Sequence, residues 1–184
     1  MSDTDTSADS RATLPMLQAG VAQVGFVVPD LDAAVENWWK LFGIGPWQYY
    51  TYEKPLLKKM SYHGKPAEYR MRIALSWIGT LRIELIQPLE GDTVYADFVR
   101  EHGYGIHHFG VLTEDMEGAL AAAARVGLSM TMDGAGFGKD GDGHYAYLDT
   151  ETALHTTIEL IQRPKGRVPS EKEYPPSDLA TKGA

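Results

Sequence analysis

Four polar residues at repeated positions form a set able to hold a divalent ion. The segment "QVGFVVPDLDAAV" begins at Gln23 and "HFGVLTEDMEGAL" begins at His108; aligned on those residues, Gly25 meets Gly110, Asp30 meets Asp115 and Ala34 meets Ala119. The pentapeptide "IELIQ" occurs at 83–87 and again at 158–162, so Glu84 and Glu159 are a second matched pair. One imidazole, one amide oxygen and two carboxylates suit a divalent cation, because the two negative charges offset the ion's charge inside a cleft. Each glutamate stands between an isoleucine and a leucine, and a carboxylate on the buried side of a sheet is costly without a partner. The duplication therefore predicts a metal site of Gln23, Glu84, His108 and Glu159. Oxygen-rich coordination admits magnesium or manganese, and the imidazole also suits cobalt, nickel or zinc.

Strand geometry sends neighbouring side chains to opposite faces, so of His107 and His108 only His108, the repeat partner of Gln23, is expected in the site. His144, in "GDGHYAYLD", lies on the strand expected to pair with the one carrying Glu159, and is a candidate substrate contact. His63, His102 and His155 read as loop or solvent residues. The rings of Trp47, Tyr49, Tyr50, Tyr52 and Trp77 favour a bulky, partly apolar ligand, with Trp47, Tyr50 and Trp77 as candidate contacts. Lys58, Lys59, Arg70, Arg72 and Arg82 are suited to a carboxylate, a phosphate or a coenzyme A tail, with Arg70 and Arg72 the candidate contacts; protection of sheet edges explains such charges equally well. The glycine-rich stretch 133–143 lacks the spacing of a nucleotide-binding loop and reads as a mobile hairpin over the mouth of the site.

Positioning these residues takes two copies of a βαβββ unit, giving an α+β fold. In the first, 22–28 is a strand, Asp30 caps a helix with Leu31, Ala34, Val35, Trp38, Leu41 and Phe42 on one side, and strands follow near 47–53, 68–77 and 80–87. The second has a strand at 107–112, an alanine-rich helix at 116–126, and strands near 128–133, 143–149 and 155–161. A short helix over 93–101 joins them. Modules 20–90 and 105–164 thus make one domain, 20–164, between a disordered arm, 1–19, and a proline-rich C-terminal tail or surface strap, 165–184.

The composition narrows the function classes. A net charge of −8 argues against a nucleic-acid partner, and no apolar run approaches the length of a membrane span. The absence of cysteine excludes disulfides, thiolate ligands and cysteine nucleophiles. The polar, acidic N-terminus is unlike a signal peptide, which points to the cytoplasm.

On "QVGFVVPDLDAAV", "HHFGVLTEDMEGAL" and both "IELIQ" segments, the chain resembles the vicinal oxygen chelate superfamily, which includes glyoxalase I, methylmalonyl-CoA epimerase, extradiol dioxygenases and bleomycin-resistance proteins. The resemblance spans about residues 20–164 and implies paired βαβββ modules in a cupped mixed sheet around a metal held by Gln23, Glu84, His108 and Glu159. It implies a metal-dependent isomerase or lyase that removes a proton next to a carbonyl, frequently as a homodimer. The modular order resembles methylmalonyl-CoA epimerase and a coenzyme A thioester substrate, whereas the ligand types resemble eukaryotic glyoxalase I. An extradiol dioxygenase would need two histidines and one carboxylate on iron, and this set has one histidine. By the same resemblance Glu159 is the catalytic base and Glu68 the second base of an epimerase, with Glu53 as its alternative. A non-catalytic small-molecule binding or resistance protein is the competing class, since the fold alone supports either role.

Overall fold

In the computed structural model, which describes residues 14–176, the first repeat runs β1 (Gln23–Val27), α1 (Leu31–Phe42), β2 (Trp47–Tyr52), the hairpin β3 (Lys59–Tyr62) and β4 (Lys65–Pro66), β5 (Arg70–Ile78) and β6 (Leu81–Glu90). Helix α2 (Val94–His102) leads to the second repeat: β7 (Gly105–Leu112), α3 (Met116–Arg125), β8 (Met130–Phe137), β9 (Gly143–Leu148), the short α4 (Glu151–Leu154) and β10 (Thr157–Gln162). A last strand, β11 (Lys172–Tyr174), follows.

Matching residues start matching elements. The Asp30 carboxylate accepts from Ala33 N–H at 3.0 Å and the Asp115 carboxylate from Gly118 N–H at 2.9 Å, capping α1 and α3 alike. The glutamines that end the two "IELIQ" segments complete these caps: Gln87 Oε1 accepts from Leu31 N–H, and Gln162 Oε1 from Met116 N–H. Each pentapeptide therefore sends its glutamine to a helix start, and its isoleucine and leucine onto that helix: Ile83 and Leu85 pack with Leu31 and Val35, Ile158 and Leu160 with Met116 and Ala119. Alternation then turns Glu84 and Glu159 to the opposite, concave face.

The eleven described strands form one mixed sheet, ordered β11-β2-β5-β6-β1-β7-β10-β9-β8-β3-β4. The repeats meet at its centre, where β1 and β7 pair antiparallel within one chain. Each repeat also reaches across to the far edge of the other. The β3–β4 hairpin leaves the first repeat to pair with β8, and β11 leaves the second to pair with β2. Among the described residues no helix is long and apolar enough to cross a membrane.

Three features depart from the sequence reading. Of the expected N-terminal arm, 1–13 lie outside the described residues, but Pro15–Ala19 form a 3-10 turn whose Met16 packs on the α3 side of the second repeat. Residues 165–176 are not merely a tail laid on the surface, because β11 is paired into the sheet; the rest of that segment, 177–184, lies outside the described residues. The last apolar residues of helix α1, Leu41 and Phe42, are exposed and do not cover the sheet.

Close approach at the seam explains two glycines. Gly25 lies opposite His108 and Gly110 opposite Gln23. A Cβ on Gly25 would lie 1.9 Å from the His108 ring, and one on Gly110 would meet Gln23 Cβ at 2.9 Å and Glu159 Oε2 at 3.0 Å. Gly25→Ala is expected to destabilise the protein by about 2 kcal/mol, the order of an overpacked core, and to abolish divalent-ion binding. Urea unfolding and equilibrium dialysis check the two effects.

Candidate metal centre

Strand register brings the four predicted ligands together on the concave face. Gln23 (β1), Glu84 (β6), His108 (β7) and Glu159 (β10) are all buried. His108 Nε2 lies 3.1 Å from a Glu159 oxygen and 3.5 Å from a Glu84 oxygen. Gln23 Nε2 donates to both carboxylates at 2.8 Å. Ligand atoms of Glu84, His108 and Glu159 all lie within 4.8 Å of one another, the span expected around one ion with bonds of about 2 Å. The chemistry and spacing of this buried set fit a divalent cation. Gln23 Oε1 accepts from Arg82 Nε, so its amide must rotate or share that oxygen to add a fourth ligand.

The structure corrects the reading of His107. Pairing between β1 and β7 shifts so that Gly25 opposes His108 while Phe26 opposes Ile106, leaving His107 as the extra residue of a β-bulge. The bulge breaks the alternation that would have turned His107 away. Instead its ring is buried against Tyr95, Phe98 and Tyr147, and its Nδ1 lies 3.0 Å from His108 Nδ1. For His108 Nε2 to offer a lone pair to an ion, its proton must sit on Nδ1 and be donated to His107. Burial, reinforced by the neighbouring His108, holds the His107 imidazole well below its ordinary pKa and keeps it a neutral acceptor.

Burial alone would push the His108 pKa down, but the Glu159 and Glu84 carboxylates outweigh it and raise the imidazole from 6.5 to about 9. Burial raises the Glu159 carboxyl above its usual range, against the pull of His108. Tyr147 packs edge-on against His108 with ring centroids 5.2 Å apart, and shares a 2.7 Å hydrogen bond with Tyr95. Tyr145 shares another with Tyr69.

A small cavity opens over the quartet, and Tyr52, Arg82, Phe137, Tyr145, Arg163 and Arg167 are among its lining residues. Of the substrate contacts expected from sequence, Tyr50 borders an adjoining cleft that shares Tyr52, Phe137 and Arg167 with this cavity. The others lie elsewhere. Trp47 is fully buried beside α1, and His144 Nε2 is tied to the Asp133 carboxylate at 2.8 Å. Arg70 pairs with Glu53 and Glu90, and Arg72 with Asp32. Trp77 is half exposed near the tip of the β5–β6 hairpin, where its ring supports the Arg163 guanidinium. Glu68 does not line the cavity; its carboxylate is exposed and paired with Lys54. The glycine-rich hairpin does border the site through Phe137, but it is tied down, with Lys139 N–H donating to Gly166 C=O at 2.8 Å. Sequence reasoning missed Phe137, Tyr145, Arg163 and Arg167. Alternation along β9, opposite Glu159, was the available signal for the tyrosines.

Two outcomes are expected. In metal-free protein the raised His108 pKa contributes stability that is fully present below 6.5 and lost as pH rises through about 9. Below that value metal binding must expel the His108 proton, so at neutral pH calorimetry in buffers of different ionisation enthalpy should show about one proton or more released per ion. His107→Leu leaves His108 Nδ1 without its acceptor and should weaken metal binding about 10- to 100-fold, with His107→Gln retaining more affinity in the same titration.

Comparison with known proteins agrees with this architecture. Solved structures with the same fold include methylmalonyl-CoA epimerase from Mycobacterium tuberculosis, 22% identical over 77% of this chain and 86% of that one, with a TM-score of 0.57. A Streptomyces coelicolor methylmalonyl-CoA epimerase variant in complex with 2-nitronate-propionyl-CoA is 20% identical over 82% of this chain and 98% of that one, with a TM-score of 0.59. A hypothetical protein from Bacillus halodurans is 19% identical over 81% and 97%, with a TM-score of 0.56. Sequence comparison with curated proteins finds no significant match. Residues 22–147 match the sequence profile of one family, and the chain accordingly belongs to the glyoxalase/bleomycin resistance protein/dioxygenase superfamily.

Proposed function

We propose that this chain is a metal-dependent isomerase that abstracts a proton next to a carbonyl, resembling methylmalonyl-CoA epimerase in its reaction. The carrying observation is the meeting of two buried carboxylates, one from each repeat, with a histidine at one ion-sized centre. A divalent ion bound there would polarise the carbonyl and stabilise the enolate that forms when the proton leaves. Glu159 is the base. Its buried carboxylate borders the cavity over the ligand set, where a substrate carbon could meet it. Inversion needs a second proton carrier on the other side of the carbon. Since Glu68 is turned to solvent, Glu84, the repeat counterpart of Glu159, takes that role.

Two features support a coenzyme A thioester as substrate. One is the ligand carried by the Streptomyces epimerase. The other is a groove of about 720 Å³ beside β3 and β4, where Lys58 and Lys59 offer positive charge for phosphates although Lys54 is paired with Glu68 and Asp133 also lines it. A second reading, a glyoxalase I-like lyase, is favoured by the same glutamine, histidine and paired glutamates, because moving a proton between adjacent carbons also uses two carboxylates.

Manganese-loaded protein incubated with methylmalonyl-CoA in heavy water should exchange the hydrogen next to the thioester carbonyl, followed by proton NMR. Glu159→Gln, confirmed to retain metal, should slow exchange about 100-fold or more. Exchange in a hemithioacetal and not in the thioester would select the lyase. Exchange in neither, with tight binding retained, would overturn catalysis and leave a binding protein.

A further inference from the structure

The isomerase reading leaves three arginines unexplained. Arg82, Arg163 and Arg167 line the same cavity as Gln23, Glu84 and Glu159. Arg82 is only 5% exposed, and its hydrogen bond goes to the neutral Gln23 amide. Among the described residues none of the three has a carboxylate within ion-pairing distance, although the chain has 25 acidic residues against 17 basic ones. With a divalent ion in place Glu84 and Glu159 offset the ion's charge, and the guanidiniums then face the cavity without counter-charge. A buried guanidinium is costly unless an anion meets it.

Two of the three belong to the strap between β10 and β11, beyond the 22–147 region that carries the family match. The strap is held in place. Gly166 C=O accepts from Lys139 N–H, and the Asp142 carboxylate accepts from Lys165 N–H at 3.2 Å. The Arg163 guanidinium lies over the Trp77 ring at 5.5 Å from its centroid. These contacts fix where positive charge enters the cavity before any ligand arrives.

We propose, resting on the isomerase reading, that Arg82 and the strap residues Arg163 and Arg167 form an anion subsite beside the ion, which selects substrates bearing a carboxylate in addition to the reacting carbonyl. A planar carboxylate suits guanidinium donors, and the small volume over the quartet suits it better than a bulkier anion.

The test compares malonate with its neutral-ended monoamide on manganese-loaded protein by calorimetry. Wild type should bind malonate about tenfold or more tightly than the monoamide, the order of one charge-assisted contact. In Arg163→Gln/Arg167→Gln, both exposed positions, that ratio should fall to about twofold or less while metal content stays unchanged. Ratios equal in wild type and variant, or no preference in wild type, would overturn the subsite, since binding through the ion alone would not depend on the strap. Loss of the preference in the variant supports the subsite even if heavy-water exchange fails. Exchange that proceeds with an unaltered ratio sinks the subsite and spares the isomerase.

Discussion

Glu84 and Glu159 are buried in one cavity, and two like charges a few ångströms apart in a low-dielectric interior require positive charge between them. Much of the local structure answers that requirement. The His108 imidazole, which burial would neutralise, is held protonated by the two carboxylates, and the Gln23 amide donates to both. A divalent cation meets the same need more completely, and it reaches the site only by displacing that proton. The carboxylates therefore disfavour the buried state unless cation or proton accompanies them, and the same constraint suits this centre to a divalent cation.

The seam between the repeats makes the convergence possible. Each repeat places a polar residue on its first strand and a glycine two positions later, and antiparallel pairing sets each glycine against the other repeat's polar residue. The glycines are spaces, not hinges: the His108 ring occupies the room above Gly25, and Gln23 and Glu159 close over Gly110. Two units that each carry half of the candidate ligand set thus bring it together within a single chain.

Much of this was legible in the sequence because duplication acts as an internal control. The five core elements of each βαβββ unit were legible, though not the β3–β4 hairpin or α4, and Gln23, Glu84, His108 and Glu159 stand out because they recur together. Periodicity could not foresee the bulge at His107, since one inserted residue inverts the face of its side chain and nothing local marks it. Glu68 is the second base that the resemblance implies, but it stands between the β3–β4 hairpin, which crosses to the other repeat, and β5, and there it is paired with Lys54 in solvent. Arg163 and Arg167 were hidden for a related reason. Their proline-rich, charged segment has the composition of a tail, and its place over the cavity comes from backbone bonds to a distant hairpin.

That strap gives the site an asymmetry the duplicated core lacks. Within the core, a pseudo-symmetric pair of carboxylates faces a centre between the repeats, and such a site treats its two sides nearly alike. Arg163 and Arg167 come after the second repeat and add to the charge that Arg82, on β6 of the first, brings to the same cavity. If these arginines form the proposed anion subsite, a ligand with one anionic end and one neutral end has a preferred direction in the cavity. In the proposed isomerase, directional binding would fix which carboxylate faces the departing proton. The residues that meet at the centre are products of repetition, and the strap arginines beside it come from the part of the chain that is not repeated.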